Sequence, residues 1–166
     1  ILAYLKAIVN GQEDLAVRRI VNVPKRGIGA TTLNRAADFA ERQGMSLYDA
    51  MEIADEIPSI GKSAAKIRPF TDMIHAMRIR RGALTLTELV EELLERTGYV
   101  EALEEEDTDE ARARIENIDE LISKVKAYED SCSQEGERPT LSGFLEEVAL
   151  VADIDRGGVF ASIYGT

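Results

Sequence analysis

The chain has 166 residues, 45% of them apolar and only 5% aromatic, with a net charge of −11. That length and apolar content suit one domain with a Leu, Ile, Val and Ala core, a composition that favours helices. No apolar run reaches the roughly 18 residues a membrane span needs, and no signal peptide is visible. The single cysteine, Cys132, has no partner for an internal disulfide, so a reducing cytoplasm is the expected compartment. The chain opens at Ile1 inside an apolar helical pattern and without Met, so a piece of a longer protein is expected.

The charge is divided. Residues 1–83 carry 13 Lys/Arg and 9 Asp/Glu, a net of +4, whereas residues 84–166 carry 7 and 22, a net of −15. Overall acidity is a poor default for nucleic-acid binding. A basic patch on one half still acts locally, because fields fade within a Debye length of about 10 Å.

In chain order, Leu2, Leu5, Ile8 and Val9 predict a first helix that Gly11 ends. Asp14 can cap a second, with Leu15, Ile20 and Val21 inward. Asn22-Val-Pro-Lys-Arg-Gly-Ile-Gly29 then reads as a structured turn. Thr31 or Thr32 is the expected cap of the next helix, whose stripe is Leu33, Ala36, Ala37 and Ala40 and which Gly44 closes. Ser46 starts another through Leu47, Ala50, Met51 and Ala54.

Ile57-Pro-Ser-Ile-Gly61 is a second Pro/Gly turn before a helix at Lys62–Arg68. Pro69 is expected to kink that helix or to open a new one, with Met73, Ile74, Met77 and Ile79 continuing to Gly82. A helix from Thr87 ends at Gly98, and Leu103 belongs to a short piece after it. Seven of residues 101–110 are acidic, which predicts a solvated hinge at Glu104–Glu110. Ala111, Ile115, Ile118, Ile122 and Val125 predict a long amphipathic helix of about 20 residues. Ser131–Pro139 reads as a polar loop, and Thr140 caps a last helix burying Leu141, Phe144, Leu145 and Val148. The pattern as a whole is all-α: an irregular multi-helix bundle with helix-hairpin-helix-like turns and no substantial sheet.

The two turns are the main candidate sites. Glycines let backbone approach a phosphate, and the free N–H groups at a helix start favour an anion. Lys25, Arg26, Gly27, Ile28 and Gly29 form the first such element, with Thr31 and Thr32 after it and Arg18, Arg19 and Arg35 around it. Leu15–Ala37 contains no acid. Gly61, Lys62 and Lys66 form the second, with Asp55 and Glu56 just before it. The competing reading is that Pro and Gly only shape helix-to-helix turns.

Gly61-Lys62-Ser63 superficially suggests a phosphate-binding P-loop, but that pattern needs a glycine where Glu56 stands. ATP binding by this chain is therefore not expected. His75 and Cys132 are solitary, so no metal cluster is suggested. No nucleophile triad or acid/base pair stands out either, and no catalytic residue is assigned. The Ala111–Val125 helix spans about two heptads, too short for a coiled-coil assignment, so internal packing is expected.

Four stretches resemble one family. They are Ile1–Asn10 with Arg19–Thr32, then Val90-Glu-Glu-Leu-Leu-Glu-Arg-Thr-Gly-Tyr99, then Glu110–Glu120, and finally Leu141–Asp155. In order and content they are similar to the 2B subdomain of PcrA/UvrD/Rep-type superfamily 1 DNA helicases, over residues 1–155. The resemblance implies an ATP-dependent parent moving 3′ to 5′ on single-stranded DNA, with this helical piece inserted in its second motor domain. It implies duplex contact through glycine-containing helix turns, a swivelling motion and a part in autoinhibition. ATP and Mg²⁺ would belong to the parent's motor domains, so neither cofactor is expected here. Implied partners are duplex or forked DNA, those motor domains and repair proteins, in a cytoplasmic, nucleoid-associated setting and away from membranes.

The family unit is thus expected at 1–155, with a basic half at 1–83 and an acidic half at 84–155. The tail Arg156-Gly-Gly-Val-Phe-Ala-Ser-Ile-Tyr-Gly-Thr166 instead resembles a stretch of cobyric acid synthase and is expected to be irregular. A rival reading makes the chain a protein-interaction or autoinhibitory module with little DNA binding of its own. It expects an exposed apolar patch on the acidic half.

Overall fold

The computed structural model describes residues 1–157, with side chains through residue 152. Every regular element among the described residues is helical, and none is a strand, as the periodicity predicts. In order these are α1 (Leu2–Val9), α2 (Asp14–Ile20), α3 (Ala30–Gln43), α4 (Leu47–Glu52), α5 (Ala64–Arg80), α6 (Leu86–Thr97), α7 (Tyr99–Glu106), α8 (Asp109–Gln134) and α9 (Leu141–Gly157). Short 3-10 turns at Ala54–Glu56 and Gly61–Ser63 join α4 to α5. The tail expected to be irregular lies outside the described residues from residue 158 onward, while the backbone of Arg156 and Gly157 continues α9.

Local chemistry explains most boundaries. Ser46 Oγ accepts from the Asp49 N–H at 3.1 Å and caps α4. Thr85 and Glu88 form a reciprocal capping box on α6, and Gly98, at φ 65°, ends it. Thr140 Oγ1 accepts from the Gly143 N–H at 3.0 Å at the start of α9.

Several expectations are corrected. Asp14 does not cap α2: the cap position is Glu13, and Asp14 Oδ1 instead accepts from the Leu47 N–H at 3.1 Å, tying α2 to α4. Leu15 is 83% exposed, because α2 buries Ala16, Val17 and Ile20. Two positions from Val17 is about 200° around a helix, so Leu15 faces away. Ile79 is likewise exposed. Thr31 and Thr32 do not cap α3, whose cap is Gly29.

Pro69 does not open a new helix: it lies inside α5, which runs unbroken from Ala64 to Arg80. Pro69 and Ala65 are both exposed, so the Ala65 carbonyl that loses its helical donor can meet water. The acidic hinge shrinks as well. Glu104–Glu106 belong to α7, and only Asp107, at φ 48°, and Thr108 separate it from α8. Arg112 pairs there with Asp107 at 2.8 Å and Asp109 at 2.6 Å, so the acids are partly neutralised. Finally α8 is 26 residues long and absorbs Ser131–Gln134 of the expected loop. Its buried positions, Ala111, Ile118, Val125 and Cys132, recur every seventh residue, and α8 packs on α6 and α7.

One hydrophobic core runs from Tyr4 and Leu5 through Phe70 and Leu89 to Phe144. The basic and acidic halves therefore share packing: α1 touches α5 and α9, and α5 touches α6. A long-range cap also joins elements within the acidic half. Glu129 of α8 accepts from the Leu86 and Thr87 N–H groups at 3.1 Å each, and from the Thr87 hydroxyl. Those two amides open α6 and have no partner within the helix. Glu129→Ala is expected to cost about 1–3 kcal/mol, the range for stranding part-buried donors. Urea unfolding with an unchanged m-value and a lower midpoint would check it.

Candidate nucleic-acid interface

The first turn is built on the C-terminus of α2 and leads directly into α3. Gly27 sits at φ 74°, a left-handed conformation that explains its glycine. Gly29 differs. Its φ of −71° and ψ of 159° suit any residue, and a Cβ there would meet nothing within 4 Å. Nothing inside the fold calls for glycine at this position. No side chain caps α3, and its first turn carries no acid, so its positive end is open to an incoming anion. Gly29 and Ala30 are exposed, as is Thr31, while Thr32 is half-buried.

The predicted residues divide by direction. Arg18, Arg19 and Lys25 are exposed. Arg26 is turned inward. Its Nη1 donates to the carbonyls of Ile20 at 2.8 Å and Val21 at 3.0 Å, and its Nη2 donates to the Tyr4 hydroxyl at 2.5 Å. Ile28 is buried at 3% exposure. Its N–H donates to Asn22 Oδ1 at 3.1 Å, and its carbonyl accepts from Asn22 Nδ2 at 2.6 Å. The expectation that Arg26 and Ile28 meet an external phosphate is therefore revised: these groups are committed inside the chain.

The second turn has the same ingredients in weaker form. Ile57 and Ile60 anchor it in the core, and Gly61 takes φ 60°. Gly61–Ser63 forms a 3-10 turn into α5, with Lys62 and Lys66 exposed. Among the described residues no strand precedes it. Arg68 is paired with Asp55.

The two turns are tied together. Arg35, on the exposed side of α3, donates to the Ser59 carbonyl of the second turn at 2.8 Å. Arg35 lies six residues beyond Gly29, roughly 9 Å along the helix. The two glycine turns thus lie along one helix rather than at opposite ends of the domain.

Sequence reasoning missed Asn22, Tyr4 and Arg78. Asn six residues before Ile28, within a Pro/Gly segment, was the available signal for the first, since Asn side chains commonly brace turns. Burial pushes the Tyr4 phenol above its usual range, with the Arg26 hydrogen bond opposing, so Tyr4 stays a neutral hydroxyl. Arg78 repeats the Arg26 device. It donates to the Ala7 carbonyl at 2.8 Å at the end of α1 and lies 4.4 Å over the Tyr48 ring, and burial raises the Tyr48 phenol. Cations suit helix C-termini. With Arg26 and Arg78 turned inward and Arg68 paired, the outward positive potential of the basic half rests on fewer groups than its composition suggests.

His75 is exposed on α5, and among the described residues no group of three or more His, Cys, Asp or Glu is placed to hold a metal. No helix among them is long and apolar enough to cross a membrane.

Fold and site together define an all-helical module with a basic end built from two glycine turns. A family model for the UvrD-like helicase C-terminal domain matches residues 1–161, and the chain belongs to that family. The match runs past residue 155, where the sequence places the end of the family unit. The chain is 43% identical over 156 residues to the ATP-dependent DNA helicase PcrA of Bacillus subtilis, covering 94% of the chain and 21% of that relative. It is 38% identical over 155 residues to PcrA of Staphylococcus aureus and 36% identical over 155 residues to PcrA of Staphylococcus epidermidis, each covering 93% of the chain and 21% of the relative. The chain thus spans about one fifth of the length of these relatives.

Proposed function

We propose that this chain is the 2B accessory subdomain of an ATP-dependent 3′-to-5′ DNA helicase, and that it contacts the backbone of duplex DNA ahead of a fork and regulates unwinding. The observation that carries the reading is the uncapped, acid-free start of α3 at Gly29, beside exposed Lys25 and with the second glycine turn tied along the same helix by Arg35. Amides at a helix start and mobile lysines bind phosphate without reading base sequence, as an element that slides ahead of a fork requires. Gly29, Ala30, Thr31 and Lys25 are the proposed primary contacts; Arg18, Arg19, Gly61, Lys62 and Lys66 supply further contact or nearby positive potential. ATP, Mg²⁺ and the strand-separating machinery are assigned to the parent's motor domains, and the setting to the nucleoid.

A salt titration of forked-duplex binding tests the reading. For about four phosphates contacted, affinity should fall about 10²-fold between roughly 50 and 200 mM salt, and Lys25→Ala should lower the slope by about 1. An absence of binding at low salt would sink it. The rival reading, a docking or autoinhibitory module, would then gain. It draws on exposed Leu150 and Val151 of α9, beside a groove between α8 and α9 lined by Tyr128, Phe144 and Val148.

A further inference from the structure

Arg26 sits next to Lys25 in sequence but makes opposite use of its charge. Its Nη1 lies within hydrogen-bond reach of three carbonyls, those of Ile20, Val21 and Val23, at 2.8, 3.0 and 3.4 Å. Its Nη2 donates to the Tyr4 hydroxyl, and that hydroxyl donates onward to the Val23 carbonyl. The guanidinium carbon is 5.0 Å from the Phe70 ring centroid and 5.8 Å from that of Tyr4. Asn22 braces the far side of the turn through both backbone groups of Ile28. A guanidinium that closes the end of α2 and stacks on two core rings cannot swing to a phosphate without giving up these contacts and leaving the Val21 carbonyl without its donor, whereas the Ile20 carbonyl keeps the Val23 N–H and the Val23 carbonyl keeps the Tyr4 hydroxyl. Lysine cannot replace it, because one ammonium lacks the planar fork that reaches the carbonyls and the phenol together.

We infer that Arg26 is a positioning residue: with Tyr4 and Asn22 it holds the Pro24–Gly29 turn in the shape that faces Lys25 and the start of α3 outward, and it forms no ion pair with DNA. The functional consequence rests on the proposed duplex contact; the geometric claim stands without it. Tyr4, at 1% exposure, has no access to DNA at all, which makes it the sharper probe.

The test compares Arg26→Lys, Arg26→Gln and Tyr4→Phe with the parent chain, with far-UV circular dichroism reporting folding. The first readout needs no DNA: hydrogen exchange at the Ile28 amide. Loss of the clamp should speed it about tenfold in Arg26→Lys and measurably in Tyr4→Phe. Unchanged exchange in folded Tyr4→Phe and Arg26→Lys would overturn the proposal. The second readout is forked-duplex affinity against salt. A positioning role predicts that Arg26→Lys and Arg26→Gln weaken binding equally, about tenfold, and that Tyr4→Phe weakens it in the same direction. A direct phosphate contact predicts near-parental binding by Arg26→Lys, a salt slope lowered by about 1 in Arg26→Gln, and no effect of Tyr4→Phe. If the parent chain binds no forked duplex, the duplex reading falls and the exchange measurement still decides the role of Arg26.

Discussion

Phe70→Ala should destabilise the chain by about 3–5 kcal/mol, the range for removing a fully buried aromatic side chain. Phe70 is 0% exposed and lies in the middle of the buried stripe of α5, with Ile67, Ile74 and Met77. Truncation loses its transfer free energy and leaves a cavity between elements fixed elsewhere along the same core. It also removes the ring on which the Arg26 guanidinium stacks at 5.0 Å, a contact worth on the order of 1 kcal/mol. Urea unfolding gives the measurement, and Leu15→Ala is the internal control. Leu15 is equally apolar in sequence but 83% exposed, so its truncation should change stability by less than about 0.5 kcal/mol. Equal effects at the two positions would mean that α2 and α5 do not present the faces described. A large loss at Phe70 with none at Leu15 is the outcome that the described faces of α2 and α5 predict.

Helix existence was easy to read because it is coded locally. Ser46, Gly44 and Gly98 act within one turn of themselves, and the stripes on α6 and α8 recur at helical spacing. What escaped is coded at a distance. Glu129 caps a helix 43 residues earlier in the chain, and nothing near Glu129 distinguishes it from its solvated neighbours. Asp14 suits a cap by type, yet serves α4 instead of its own helix. The end of α8 lies in a polar stretch, where only Cys132 continues the seven-residue spacing, so periodicity was too thin to extend the helix.

The candidate site shows the same division. The turn itself was legible, since Pro, Gly and basic residues before a helix have a physical meaning in any fold. The roles within it were not. Lys25 and Arg26 carry one charge each in sequence, and only the carbonyls at the end of α2, with the Tyr4 hydroxyl, make one an internal clamp and leave the other outside. Gly27 and Gly29 are also alike in sequence. One answers to a left-handed backbone, and the other answers to nothing in the fold.

That difference makes Gly29→Ser the most informative substitution at the interface. Serine is a preferred helix cap, and the cap position of α3 is held by Gly29 at φ −71°, ψ 159°, which serine adopts freely. A serine Cβ would meet no neighbour within 4 Å. Stability should therefore hold or rise by a few tenths of a kcal/mol. Binding should move the other way. The new hydroxyl would accept from the amides that open α3, the donors offered to phosphate, and the Cβ would keep a phosphate from close approach. A loss of about tenfold in forked-duplex affinity, equivalent to about 1.4 kcal/mol, is expected. Anisotropy titration together with thermal unfolding reads both effects on one sample. Greater stability with weaker binding would mean that glycine is kept at this position for an external partner, at a small cost to the helix. Unchanged affinity would place the phosphate contact elsewhere on the basic half, with Lys62 and Lys66 at the second turn the next residues to replace.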